Sequence, residues 1–480
     1  MKIFILTSTF ENGMPNYLQN CIQKRHISLD LPLAEFNENI RRRIVTRSSK
    51  NFIKKEVEKM EEKRISLFQA YRFLLLLAVV IVFGGYEGQA AEAPKSIKIG
   101  ASIPVTGMFA SSGHNVKIGY EIAVDFINKA GGVYVKEFGK KLPLELILLD
   151  DESDPVKTVS KMETLYESNK VTSYLGTFGS PLHAAAVAVA EKNKTPYLGI
   201  GFSLYAIHTM GYKYLFSPFS KNPYSIKTLF EMLATLPAKE RPTKIAIFRL
   251  GDDSGIEQAE LIHKLVPAEY KEYKIVMDAQ YAPGTKDYSS LILKAKGAGA
   301  DSFWSAPIMP DGIAMIRQFK ELDWNPKFIY ATRASTNDAW IKALSTDGDY
   351  AICESPYHWS YPYPGNKQFV DEHVKKDGVL PDTVAGAAYV CVQVLADAIA
   401  RAGTLGRDKI RDAIAATNMI TIMGRIRFNS DGTANMYNPD GKINAIGAMS
   451  QWINGKQLLI WPPDLATAPF AYPAKPWKER

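Results

Sequence analysis

From Ile97 onward, short apolar runs of strand length alternate with stretches of helical period, and they do so in two separate series. Such alternation is the mark of βαβ units wound around parallel sheets. The first series opens with "SIKIGASIP". The stretch after it places Gly119, Ile122, Ala123, Phe126 and Ile127 on one helical face, and Gly131-Gly132 ends it. "LPLELILLDD", "VTSYLGTF" and "TPYLGIG" follow as strands, with helices opened by Asp154-Pro155 and Pro181 between them. Aspartate before proline suits an N-cap followed by proline at the first helical position. After "YLFSPFSKNP" a second series begins, with strands "KIAIFRLG", "KIVMDAQY", "ADSFWSAP", "FIYATR" and "YAICES". Three helical stretches from about Asn366 to Asn418 come next, and the turn signals "SDGT", "PDGK" and "INGK" make the tail hairpin-like. Two series imply two α/β lobes.

Upstream lies a segment with the order of a secretory signal. Lys63, Arg64 and Arg72 form a basic lead, eleven apolar residues run from Phe73 to Phe83, and Gly88 and Ala90 offer the small side chains a signal peptidase reads. The run falls well short of the roughly 18 apolar residues that a membrane-spanning helix needs. Residues 60–90 are therefore expected to be a signal peptide cleaved between Ala90 and Ala91, and residues 1–59 an extension created by start-site assignment. Peptide mapping of the exported protein checks this: its first residue is expected at or near Ala91, and recovery of peptides from 1–59 would refute it.

Residues 1–90 carry 14 of the 58 basic and 9 of the 50 acidic residues, which leaves 44 against 41 in the remainder. That surface is mildly basic and lacks a long basic block, so nucleic acid is not an expected partner. Beyond the signal, only Cys353 and Cys391 are present, one in a strand-like run and the other in an apolar helical one. They are expected to be separately buried thiols. Neither a C-x-x-C pair nor a Cys/His cluster suggests a metal, and no cofactor is expected. G-x-S-x-G, H-E-x-x-H and a complete Walker loop are missing, and "GIGFSL" lacks the last glycine of a dinucleotide fingerprint, all of which argues against an enzyme. The run Asp150, Asp151, Glu152 and Asp154 reads as a strand-to-helix turn whose acids favour the helix start.

"IKIGASIPVTGMFASSG", "GYEIAVDFINKAGG", "LELILLDDESDP", "YLGTFGSPLHAAAVAVAEKNKTPYLG" and "GTKDYSSLILKAKGAGAD" resemble, in order and spacing, the type I periplasmic solute-binding proteins of the branched-chain amino acid transporter group. The resemblance covers nearly the whole chain after the signal. It implies two Rossmann-like lobes with parallel sheets joined by a three-segment hinge, with crossings near Phe219, Tyr357 and Ile422. Lobe one would be 97–219 and 358–422, and lobe two 220–357 and 423–480. It also implies a periplasmic monomer that closes on a small amino acid or carboxylate and hands it to an ABC permease in the inner membrane. The alternative is a soluble ligand-sensing partner of a membrane receptor with the same fold.

In doubly wound sheets, ligands sit at the carboxyl ends of strands, where helix N-termini present free N–H groups. "GTFGSPLHAAA" is such an end, with Gly179 allowing close approach and Ser180 offering a hydroxyl; a cap for its own helix is the rival role of Ser180. By resemblance, Gly201, Phe202 and Ser203 in "GIGFSLY" join the site, as do Ser112, at a position often aromatic in the family, and nearby Phe109. In lobe two, Ser254 stands where the family tends to have tyrosine, and Ala279 and Gln280 stand near its ammonium-holding acid. Asp253 is left as the evident partner for an ammonium. Arg333, ending "FIYATR", is expected either to meet a solute carboxylate or to pair with a lobe acid. These departures lean toward a carboxylate without an ammonium. Trp304, Tyr357 and Trp359 are expected near the cleft or hinge, chiefly as packing residues.

Overall fold

The computed structural model describes residues 93–480 without a break and, before them, short helical pieces between 54 and 72. The apolar run Phe73–Phe83 and the expected cleavage point lie outside the described residues. The residues from 93 to 480 lie in one compact unit.

Its first series runs β1 (Ile97–Ile103), α1 (Ala110–Lys129), the hairpin β2 (Val133–Val135) and β3 (Lys140–Leu142), β4 (Leu144–Asp150), α2 (Pro155–Glu167), β5 (Ser173–Leu175), α3 (Ser180–Lys192), β6 (Tyr197–Leu198) and β7 (Leu215–Phe216). Five of these strands make an all-parallel sheet in the order β4-β1-β5-β6-β7. The strand β7 is a departure from expectation, since "YLFSPF" adds an edge to the first sheet rather than merely preceding the second series. Two residues are too few for an alternating pattern to register. Asp154 caps α2 as expected, accepting from the N–H groups of Val156 and Lys157. Its acidic neighbours are also structural: Asp151 accepts from the hydroxyls of Ser102 and Thr177, and Asp150 from Thr106.

The second series runs α4 (Asn222–Ala234), β8 (Lys244–Leu250), α5 (Asp253–Ala268), β9 (Lys274–Tyr281), α6 (Ser289–Gly297), β10 (Ser302–Ser305), α7 (Met309–Glu321), β11 (Phe328–Ala331), α8 (Ala339–Leu344) and β12 (Ala351–Glu354). Helices α9 (Asn366–Asp377), α10 (Thr383–Ala402) and α11 (Arg407–Ala415) follow, and the chain closes with β13 (Asn418–Thr421), β14 (Gly424–Arg427), β15 (Met449–Ile453) and β16 (Lys456–Trp461). The second sheet has the order β16-β15-β12-β11-β10-β8-β9. Strands β8 to β12 are parallel, and the tail adds β15 and β16 antiparallel at one edge. This sheet is therefore mixed rather than purely parallel. The hairpin turns at Asn454 and Gly455, both with positive φ (51° and 72°), as a two-residue Asn-Gly turn requires.

Helix α10 is the spine of the first core. Val390, Val394, Leu395 and Ile399 are fully buried on it, each contributing about 1.5–3 kcal/mol by leaving water. Cys391 is buried on the same helix and Cys353 in β12, both as free thiols.

Candidate functional site

The carboxyl ends of the parallel strands from both sheets converge on one cavity. Ser180, Gly201, Phe202 and Ser203 line it from the first sheet, and Ser254, Thr332, Arg333 and Glu354 from the second, with Thr383 and Val384 closing it at the start of α10. This is the position that strand-end geometry assigns to a ligand.

At the start of α3 the cap is Gly179, held at φ 89° with no side-chain cap bond. A methyl group there would sit 3.4 Å from the Phe109 ring. Ser180 is the first helical residue rather than the cap, and among the described residues its hydroxyl takes no hydrogen bond. The expectation that it serves only to cap its own helix is set aside. Because Pro181 has no N–H and the first intrahelical donor is His183, the N–H groups of Ser180 and Leu182 are the orphans of this terminus.

Phe202 is stacked between His183 (centroids 4.2 Å apart) and His208 (5.7 Å). The Lys221 ammonium lies 3.7 Å over its ring. Burial pushes both histidines down to about 3, so the rings are neutral at ordinary pH. Burial also lowers Lys221 to about 7, with Glu354 pulling the other way. Lys221 spends its donors on the carbonyls of Phe202 and Phe219 and on Ser217 Oγ, at 2.8–3.1 Å. It braces the cavity wall without lining it.

On the facing side, Arg333 has a left-handed backbone at the end of β11 (φ 65°), and its Nη1 lies 2.9 Å from Asp252 Oδ2. The other oxygen of Asp252 accepts the Gly255 N–H and caps α5. Arg333 therefore lines the cavity with its charge already balanced. Ser254 is also committed, since its carbonyl and hydroxyl both accept from the Asn222 amide.

Four expected residues do not line this cavity, Phe109 and Ser112 at the start of α1 among them. Asp253 is exposed in the first turn of α5, and Gln280 is exposed on the edge strand β9; neither lines the cavity. The capping role falls to Asp252, which turns Asp253 outward, and β9 has no neighbour on its far side to carry a side chain inward. Trp304 is fully buried against Phe230 and Phe328. Tyr357 is buried against Phe369 and Trp359 is half-buried beside His358, and neither lines the cavity.

The acid of this cavity is Glu354, which the sequence reading missed. It ends β12, 4% exposed. Tyr330 donates to its Oε1 at 2.9 Å and Ser203 to its Oε2 at 3.3 Å. Burial raises its pKa, opposed by the hydroxyls of Ser225, Tyr330 and Ser203 and by the nearby Lys221 charge. Among the described residues no cation pairs with it directly, so it keeps acceptor capacity toward the cavity. The signal was available: Glu354 stands at the carboxyl end of the strand in "YAICES", as Arg333 does in "FIYATR".

A chain of this architecture, with a polar cavity at facing strand ends, is of the kind that binds solutes between lobes. The periplasmic binding protein family model matches residues 96–440, and the chain belongs to that family, whose members are binding proteins rather than enzymes. It is similar to Leu/Ile/Val-binding protein homolog 7 of Brucella suis biovar 1, 24% identical over 417 residues, covering 84% of this chain and 99% of that one. In fold it is similar to the substrate-binding protein LivJ from Streptococcus pneumoniae, solved with isoleucine (TM-score 0.64, 22% identity, 76% of this chain and 98% of that one). It is likewise similar to a Rhodopseudomonas palustris solute-binding protein solved with benzoate (TM-score 0.64, 18% identity, 79% and 99%).

Proposed function

We propose that this chain is the extracytoplasmic substrate-binding component of an ABC importer, closing on a small amino acid or carboxylate and delivering it to a membrane permease. Export through the cleaved signal, the monomeric state and the lobe division at 97–219 with 358–422 and 220–357 with 423–480 are parts of the same reading. One observation carries it: an uncommitted hydroxyl and two orphan N–H groups at the start of α3 share a cavity with an acid that has no paired cation. The N–H groups and Ser180 suit a solute carboxylate. Glu354 suits a hydrogen-bond donor on the same solute. Because Asp252 already neutralises Arg333, the lean toward a solute lacking an ammonium loses its main support, and an amino acid becomes the favoured ligand.

Calorimetry against amino acids and short or aromatic carboxylates tests this directly. In Ser180→Ala, affinity is expected to fall by roughly 10- to 100-fold, the worth of about 1.5–3 kcal/mol for a hydrogen bond to a charged group. Unfolding without ligand is expected to shift by less than about 1 kcal/mol, because no cap is broken. An unchanged dissociation constant would remove Ser180 from the site.

A further inference from the structure

We infer that Lys221 is a positioning residue that acts on the solute through Glu354: it ties the loop carrying Ser203 to the first crossing and supplies the buried positive charge beside which the Glu354 carboxylate awaits an ammonium. The inference rests on the proposed function and adds to it the residue behind the site. Lys221 stands just before α4 and is completely buried. Its ammonium donates to the Phe202 carbonyl at 2.9 Å, to Ser217 Oγ at 2.8 Å and to the Phe219 carbonyl at 3.1 Å. Ser217 is bound in turn to the tail, its N–H donating to the Gly432 carbonyl and its own carbonyl accepting from the Ala434 N–H. One cation thus fastens the Phe202 loop, the first crossing and the tail together. Two short bridges join it to Glu354. Ser203, next to Phe202, donates to Glu354 Oε2 at 3.3 Å. The hydroxyl of Ser225, bonded to the Lys221 carbonyl at 3.3 Å, also faces Glu354.

Neutral donors would suffice to hold two carbonyls and a hydroxyl, so the charge itself needs a reason. The titratable groups that face Lys221 are Glu354 at the end of β12, Glu257 on α5, Cys391 on α10, Asp431 in the tail, His183 on α3 and His208 after β6. Burial keeps both imidazoles neutral and the Cys391 thiol protonated. Glu257 is committed to the N–H groups of Tyr205 and Ala206 and to the Asn222 amide. Asp431 is committed to Thr433 and the Tyr205 hydroxyl. Glu354 exerts the largest pull on Lys221, and the Lys221 charge in turn opposes the burial that favours a protonated Glu354. A buried acid left alone takes up a proton rather than stay charged. Because burial lowers Lys221 itself to about 7, its support is present at acidic and neutral pH and fades above, where Glu354 ionises unaided. The same charge repels a solute ammonium, but the solute meets Glu354 within the cavity, which Lys221 does not line.

The test is calorimetry of the full exported protein with leucine and phenylalanine at mildly acidic, neutral and mildly alkaline pH. It is repeated in Lys221→Met and in Lys221→Gln, which keeps donors for the two carbonyls without the charge. Both variants are expected to bind about tenfold more weakly at mildly acidic pH, the effect of one unit in the pKa of the acid, with the gap narrowing to less than about threefold at mildly alkaline pH. Placed on Glu354→Gln, the Lys221→Gln change is expected to alter affinity equally at every pH. A loss that is the same at every pH in both single variants would overturn the inference and leave Lys221 a brace. Tighter binding in either variant would also overturn it, because repulsion of the solute ammonium would then outweigh the support of Glu354. So would a loss confined to Lys221→Met, since the donors rather than the charge would then matter. All three of these results leave the proposed function standing. If neither amino acid binds the unsubstituted protein, the amino acid reading fails, and this inference fails with it.

Discussion

Glu354→Gln is expected to weaken binding of an amino acid by roughly 30- to 150-fold, about 2–3 kcal/mol, the lower end of the range found when one partner of a buried, hydrogen-bonded charge pair is removed. This carboxyl has no direct ion-pair partner among the described residues, and the Lys221 charge acts on it only from nearby. Tyr330 and Ser203 supply neutral donors, Lys221 is turned toward backbone carbonyls and Ser217, and Arg333 is held by Asp252. A solute ammonium would be the first cation to pair with it. An unpaired ammonium in a closed site costs several kcal/mol or loses its proton. A pH dependence follows with a definite sign. The pKa of Glu354 is raised by burial, so affinity for an ammonium-bearing solute falls as pH drops through a value above the ordinary carboxylate range, and the glutamine variant lacks that dependence. A carboxylate without an ammonium behaves in the opposite sense, binding better once the acid is removed. Calorimetry with leucine, phenylalanine and 3-phenylpropanoate at neutral and at mildly acidic pH separates the cases. Unchanged amino acid affinity in Glu354→Gln would show that the ammonium is held elsewhere.

Gly386→Ala is expected to lower the unfolding free energy by about 3 kcal/mol, near the upper end for overpacking a core. Helix propensity alone predicts the reverse, since alanine is favoured over glycine inside a helix by about 1 kcal/mol. Contact decides the outcome. A methyl group on Gly386 would lie 2.0 Å from Tyr357 Cγ and 2.3–2.4 Å from both Cδ atoms. The ring is 1% exposed and is hemmed in by Tyr361 and Phe369, whose centroids lie 6.3 and 5.6 Å away, so it has no room to withdraw. Tyr357 also follows Glu354 closely in the chain, and its N–H is bonded to Thr383 at the cavity edge. The same substitution is therefore expected to weaken solute binding as well. A urea midpoint equal to or above that of the unsubstituted protein would show that α10 and the Tyr357 segment move apart at little cost.

What the sequence determined by itself was whatever depends on neighbours within one turn or one strand. The β/α alternation, the Asp154 cap, the Asn454-Gly455 turn and the placing of Ser180 and Gly201–Ser203 at strand ends all follow from local periods and local hydrogen bonds, and each is where the reading put it. Tertiary structure decided which strand ends face one another and which charges cancel. Arg333 meets Asp252 across 81 residues, and Ser203 meets Glu354 across 151; no local pattern encodes either pairing. Strand order likewise left Gln280 on an exposed edge, while the Asp252 cap turned Asp253 outward. Glu354 lines the cavity where Asp253 had been expected, because a side chain's partners are set by the elements the fold brings alongside it, and those lie far away in the chain.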